Sequence, residues 1–308
     1  MKRQLSLATA ASLVVLALVG PLNAAASSGA LTPVNMCIVS LSPTATETLF
    51  AVGAGKQVEA VDTDSNYPTT GLPKKRIDPF NPSAEAIATI CTVTKAHPSP
   101  KPDVVVIAFD ANSIAEKLGA LGIRVIIQGA PNTLSDAYGQ MTTLGTATGH
   151  PGAAAYIVKS LKALIAKDIK LITAHPHKML TTYWELDPTL YSLTSSTFVG
   201  SMMTPLGVTN IADPVSTSAD GGYPQLSSEY LIASSPRLVI LADTICCHVN
   251  AKNFGQRTGF SFISAVQHHH VYGINDDVAS RWGPRLGILM NDITRVVQIT
   301  LADPNVWK

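Results

Sequence analysis

Two runs of aliphatic residues, each entered through a proline, set the strongest limit on what this chain can fold into. Val104-Val105-Val106-Ile107-Ala108 follows Pro102-Asp103, and Leu238-Val239-Ile240-Leu241-Ala242 follows Pro236-Arg237. Neither run alternates with polar residues, so a strand built from it must be covered on both faces, as in a parallel sheet flanked by helices. Each run follows a helix start with an early glutamate, Ser83-Ala84-Glu85-Ala86-Ile87 in one case and Ser228-Glu229-Tyr230-Leu231-Ile232 in the other. The two halves of the chain read as pseudo-repeats, each with one glutamate in an equivalent place.

The rest of the chain continues the alternation of strand and helix. Cys37–Leu41 reads as a strand, and Ser42 caps a helix with Pro43 at its first position, where the missing N–H costs nothing. Val58–Val61 and Arg124–Ile127 are further strands, and Ile114–Leu121 is a helix. Residues 152–172 carry Ile157, Leu161, Leu164, Ile165 and Ile169 at helical spacing, with lysines between them. Strands near Met179–Tyr183 and Val271–Ile274 and a closing helix over Arg285–Leu301 complete the second half. The expected fold class is α/β, with two Rossmann-like lobes of mainly parallel sheet at residues 34–150 and 173–308. A single long helix over 151–172 joins them, a ligand cleft lies between them, and the helix allows only small closing motions.

The first 26 residues read as a signal peptide: Lys2 and Arg3, an apolar run from Leu5 to Val19, then small residues, with no acidic group. The run is shorter than a bilayer span requires. The mature protein is thus expected to be exported to the periplasm or cell exterior. Cys37 follows Met36 rather than a small residue, which argues against lipid attachment. With 22 Lys and Arg against 21 Asp and Glu, the chain offers no electrostatic handle for nucleic acid or anionic lipid.

Four cysteines leave several pairings open. Adjacent Cys246-Cys247 cannot complete a tetrahedral zinc site, and no second pair at zinc spacing follows. A vicinal disulfide is one reading, with Cys37 then joined to Cys91; free thiols and crossed pairing are the others. His268-His269-His270 reads as an exposed turn, and no constellation for a bound metal is evident. Gly53-Ala54-Gly55-Lys56 fails as a phosphate loop, because Phe50 and Gln57 replace the required glycine and hydroxyl residue. No nucleophile elbow or zinc-protease motif occurs. No catalytic residue is assigned, and no enzyme activity is expected.

Several ordered segments resemble the substrate-binding proteins of ABC importers for cobalamin, haem and iron-siderophore complexes, a class of periplasmic binding protein. They are Ile38–Glu47, Asn66-Tyr67-Pro68, Glu85, Pro102–Ala108, Tyr223–Glu229 and Ser280–Arg285. The long Cys91–Pro100 segment departs from the family pattern. The resemblance implies a monomer that captures a small metal complex, a corrinoid or a ferric chelate, and delivers it to the importer's membrane subunits. It holds no cofactor of its own. Glu85 and Glu229 then correspond to the two glutamates that dock on the permease. Tyr67, Phe109 and Tyr223 fall where cobalamin binders carry cleft aromatics, with Asp277 and Arg281 at the cleft edge.

Ligands of open α/β sheets sit outside the carboxyl ends of the strands. On that ground the ligand-binding candidates are Thr44, Tyr67, Phe80, Phe109, Tyr183, Trp184, Tyr223, Cys246, Cys247, Asp277, Arg281 and Trp282. The prevalence of rings among them favours a broad, partly apolar ligand, because rings supply contact area at little entropic cost. Free-ion receptors and secreted enzymes are the rival classes.

Overall fold

The computed structural model describes residues 35–174 and 177–307. The expected signal peptide and His175 lie outside these residues. The first half contains β1 (Ile38–Leu41), α1 (Pro43–Ala51), β2 (Val58–Asp62), β3 (Lys75–Ile77), α2 (Ala84–Ile87), β4 (Val104–Ile107), α3 (Ile114–Ala120), β5 (Arg124–Ile127) and α4 (Leu134–Ala147). Then comes α5 (Pro151–Thr173), whose 23 residues span about 35 Å. The second half contains β6 (Leu180–Glu185), α6 (Phe198–Met203), β7 (Val208–Asn210), α7 (Ser228–Ser234), β8 (Leu238–Leu241), α8 (Ala251–Gly255), α9 (Ser264–Gln267), β9 (Val271–Gly273), α10 (Asp276–Ala279) and α11 (Leu286–Ala302).

Both sheets are wholly parallel, in the orders β3-β2-β1-β4-β5 and β7-β6-β8-β9. Successive side chains of a strand serve opposite faces. Ile38, Val104 and Val106 therefore enter one core cluster, while Val39, Leu41, Val105 and Ile107 enter another. The second sheet divides in the same way, with Trp184, Leu238 and Ile240 on one side and Tyr183, Val239 and Leu241 on the other. The edge strand β3, Lys-Arg-Ile, is largely exposed. Its charges hide it from a search for apolar runs and suit an edge that must not pair further.

The two lobes share part of their core. One cluster joins Tyr138 and Met141 of α4, Leu161, Ile165 and Ile172 of α5, the inner face of β6 and β8, and the buried stripe of α11. The described residues accordingly fall within one compact unit. A core shared in this way limits relative motion more than a linking helix alone.

Local chemistry sets the boundaries. The Ser42 hydroxyl accepts the Ala45 N–H at 3.2 Å to start α1, and Gly53, at φ +94°, lets the chain turn back after it. Ser83 caps α2 and Ser227, not Ser228, caps α7. The pseudo-repeat thus aligns Ser83-Ala84-Glu85 with Ser227-Ser228-Glu229, one residue from the register read along the sequence. His270 is buried and pairs with Asp303 at 3.1 Å, so the histidine run is not wholly an exposed turn. Burial lowers the pKa of its imidazole despite that carboxylate. Cys37 and Cys91 are joined by a disulfide that ties β1 to the segment after α2.

Candidate functional site

The strand order changes direction between β1 and β4 and between β6 and β8. Chains leaving adjacent strands there part in opposite directions and open a crevice. At the second of these points lies an apolar cavity of about 380 Å³. Trp184 near the end of β6, Leu193, Phe198 and Val199 of α6, Tyr223, Cys246 and Trp282 line it. Ala130, just beyond β5, is its contribution from the first half.

Beside the cavity a salt-bridge cluster ties the halves together. Glu47 is the one charged residue in Pro43–Val52 and is buried. Arg281 Nη1 donates to Glu47 Oε1 at 2.8 Å and to Asn66 Oδ1 at 2.7 Å; Nη2 donates to Asp277 Oδ1 at 2.7 Å and to the Asp64 carbonyl at 3.2 Å. Arg285 Nε donates to Glu47 Oε2 at 2.8 Å, and its Nη2 also reaches Glu47. Burial by itself disfavours the Arg285 cation, but the Glu47 hydrogen bond and charge outweigh it and raise its pKa. Two guanidinium groups against Glu47 and Asp277 leave the buried group neutral, the condition under which buried charges are tolerated.

The strap of residues 277–285 makes further contacts with the first half. Asn66 Nδ2 donates to Asp277 Oδ2 at 2.8 Å, and Trp282 Nε1 donates to Gln140 Oε1 at 2.9 Å. The Arg285 guanidinium lies 4.4 Å from the centre of the Tyr67 ring. At Gly283 a Cβ would stand 3.3 Å from the Thr44 carbonyl oxygen, so the strap approaches α1 more closely than most side chains permit.

Of the twelve ligand-binding candidates, Trp184, Tyr223, Cys246, Arg281 and Trp282 line this cavity. Tyr183 does not. Its side chain is fully buried on the opposite face of β6, packs against Phe254 at 6.3 Å and donates its hydroxyl to Glu185 at 3.2 Å. A strand cannot send two consecutive side chains to one face. Arg281 touches the cavity, but four donor contacts to Glu47, Asn66, Asp64 and Asp277 already occupy its fork, so it is not a free ligand clamp. Asp277 serves the same cluster. Thr44 is buried, and its carbonyl accepts the Thr48 hydroxyl at 2.9 Å. Tyr67 faces Arg285. Phe80 and Phe109 lie outside the cavity as an exposed ring pair with centroids 5.3 Å apart. Cys247 is exposed beside Cys246 and joined to it in a vicinal disulfide.

Sequence reasoning passed over Glu47, Arg285 and Gln140. A lone carboxylate in an otherwise uncharged helix was the available signal for Glu47, since such a group must find a cation when buried. It also passed over the apolar wall made by Leu193, Phe198 and Val199.

A second buried cluster stands at the ends of β6 and β8. Arg257 donates to both Glu185 oxygens, each at 2.7 Å. Among the described residues no donor reaches either oxygen of buried Asp243. Burial, and then the charge of Glu185, push its pKa up to about 7, so its acid and carboxylate forms are both populated near neutrality.

Glu85 and Glu229 are exposed, each at the second position of a helix behind a serine cap. The backbone N–H of Glu85 and the Ser83 hydroxyl, at 3.0 Å, hold the Glu85 carboxyl below the usual carboxylate range.

An uncharacterised ABC transporter substrate-binding lipoprotein, YvrC, of Bacillus subtilis is 29% identical over 259 residues, covering 81% of this chain and 76% of that protein. Two solved structures share the fold. The periplasmic haem-binding protein RhuT of Roseiflexus has a TM-score of 0.71 at 21% identity, covering 86% of this chain and 99% of that one. The periplasmic vitamin B12-binding protein BtuF of Vibrio cholerae has a TM-score of 0.70 at 20% identity, covering 87% and 98%. The pattern of the periplasmic binding protein family matches residues 38–278, most of the two-sheet unit and the whole of the cavity but its last four wall residues, and the chain belongs to that family.

Proposed function

We propose that the protein is the extracytoplasmic receptor of an ABC importer and that it captures a corrinoid, unchanged, in the cleft between its halves. One observation carries this reading. The cavity walls are rings and aliphatic chains, and its two charged lining residues are already committed, Arg281 to the cluster around Glu47 and Asp276 to the Thr244 hydroxyl and the N–H groups of Ile245 and Cys246. Such walls suit a large ligand with broad apolar faces and little net charge. An anionic ferric siderophore or a carboxylated tetrapyrrole needs uncommitted cations, because a buried carboxylate without one is costly.

At about 380 Å³ the cavity lies toward the small end of ligand sites. A corrinoid therefore seats one edge there, and the exposed side chains of Tyr67, Phe80, Phe109 and Cys247 are candidate contacts for the remainder. Glu85 and Glu229 present one carboxylate from each half to arginines of the membrane subunits. Disulfides suit a site of action outside the cytoplasm.

Haem is the second reading, favoured by the Tyr223 hydroxyl in the cavity, a group that ligates ferric iron as phenolate. Burial raises the Tyr223 pKa, which works against that form. Titration with cyanocobalamin and with haemin, followed by tryptophan emission and calorimetry, tests the choice. Saturable one-to-one binding of cyanocobalamin is expected; saturation by haemin alone would replace the corrinoid, and binding of neither would overturn both.

A further inference from the structure

We infer that the Cys246–Cys247 disulfide is a redox-controlled wall of the ligand cavity, firm when oxidised and loosened when reduced to two thiols. The inference rests on the cavity being the ligand site, as proposed above, and adds a mode of regulation to it.

Three observations meet at this pair. Cys246 lines the cavity. Both cysteines are exposed, whereas Cys37 and Cys91 are only 4% and 5% accessible, so a dithiol reaches the vicinal pair first. The loop that carries the pair is also wired to the rest of the site. Asp276 accepts the Thr244 hydroxyl at 2.9 Å and the N–H groups of Ile245 at 3.0 Å and Cys246 at 2.8 Å. On the other side, the Asp243 carbonyl accepts the N–H groups of Cys247 at 3.3 Å and Val249 at 3.4 Å, and His248 between them takes φ +56°.

Asp276 opens α10, whose Ala279 lines the cavity and whose end leads into Ser280, Arg281 and Trp282. A disulfide between neighbours closes a small ring around their shared peptide and holds that peptide and both side chains in one arrangement. Opening the ring frees the Cys246 side chain at the wall, in a loop that Asp276 ties to α10 and so to the residues that join the halves.

The chemistry needs a dithiol as reductant. One of its thiolates attacks a cysteine sulfur, the Cys246–Cys247 bond breaks, and the displaced sulfur takes a proton. The second thiol then attacks the mixed disulfide and releases the other cysteine. Two electrons and two protons pass to the protein, and the dithiol leaves as its own disulfide.

The test uses the mature protein carrying Trp307→Phe, so that emission comes from Trp184 and Trp282, both on the cavity. Three forms are compared: oxidised protein, protein treated with limiting dithiothreitol and shown by peptide mapping to have lost only the vicinal disulfide, and Cys246→Ser/Cys247→Ser. Cyanocobalamin affinity is expected to fall about tenfold or more in the second and third forms and to return on reoxidation of the second. Acrylamide quenching of tryptophan is expected to rise in both. Equal affinity in all forms would overturn the inference. If no form binds cyanocobalamin, the corrinoid reading falls and quenching decides alone: a rise on reduction upholds the redox-controlled wall, and unchanged quenching ends it. Should the double serine variant not fold, reduction and reoxidation of the native pair give the same decision.

Discussion

Glu47 Oε1 and Arg281 Nη1 stand 2.8 Å apart although 234 residues separate them in the chain. Arg285 completes the arrangement from four residues further along, so a single buried carboxylate of α1 serves two cations delivered by the other half. Replacing Glu47 by Ala leaves Arg285 without its carboxylate partner and Arg281 with Asp277 alone, and the expected loss is about 3–5 kcal/mol of unfolding free energy. Denaturant unfolding measures it. Glu47→Ala with wild-type stability would show that water already screens the cluster.

Stability should fall as pH rises across the range set by Asp243. Its carboxyl is raised from 3.8 to about 7, so the folded state holds a proton that the unfolded chain releases. Below about pH 4 both states hold it and the group costs nothing; between about 4 and 7 stability declines, and above that the loss is complete, on the order of a few kcal/mol. Glu185, Arg257, Tyr183 and Asp276 face the group and set the size of the effect. Asp243→Asn should flatten this part of the profile, as read by melting temperature from pH 4 to 8. A slope identical to wild type would show that other groups cause it.

Tyr223 separates the two ligand readings. Tyr223→Phe keeps the ring in the cavity wall and removes the only oxygen able to ligate iron from that side chain. Cyanocobalamin affinity should change less than threefold, below about 0.7 kcal/mol, whereas a haem site built on the phenolate should lose its charge-transfer absorption. Loss of cyanocobalamin binding in this variant would show that the hydroxyl, not the ring, holds the ligand.

Replacing both exposed glutamates, Glu85→Ala and Glu229→Ala, should abolish uptake in cells while leaving ligand affinity intact. Equilibrium binding and a transport assay on the same variant distinguish docking from ligand contact. Weakened binding would place these residues in the wrong role.

The Cys37–Cys91 link closes a loop with a sequence separation of 54. Cys37→Ser/Cys91→Ser is expected to lose about 2–5 kcal/mol of stability, an effect that grows with the size of the closed loop. Thermal unfolding of the variant against the parent checks this.

Local pattern determined much of this protein without help from the fold. Unbroken aliphatic runs can only be buried central strands, Ser42-Pro43 can hardly do other than begin a helix, and a serine shortly before Glu85 and before Glu229 places both carboxylates in a helix's first turn. The alternation of these units was enough to specify two parallel sheets. Tertiary structure alone decided which loop residues face the cavity and which are consumed. Tyr183 and Trp184 are equivalent as letters, but the two-residue period of β6 gives one to the core and one to the cavity. Arg281 reads as a free cation until α1 brings Glu47 to it from the other half of the chain. Long-range charge pairing and the face a strand presents arise only when distant segments pack, so no local pattern could record them.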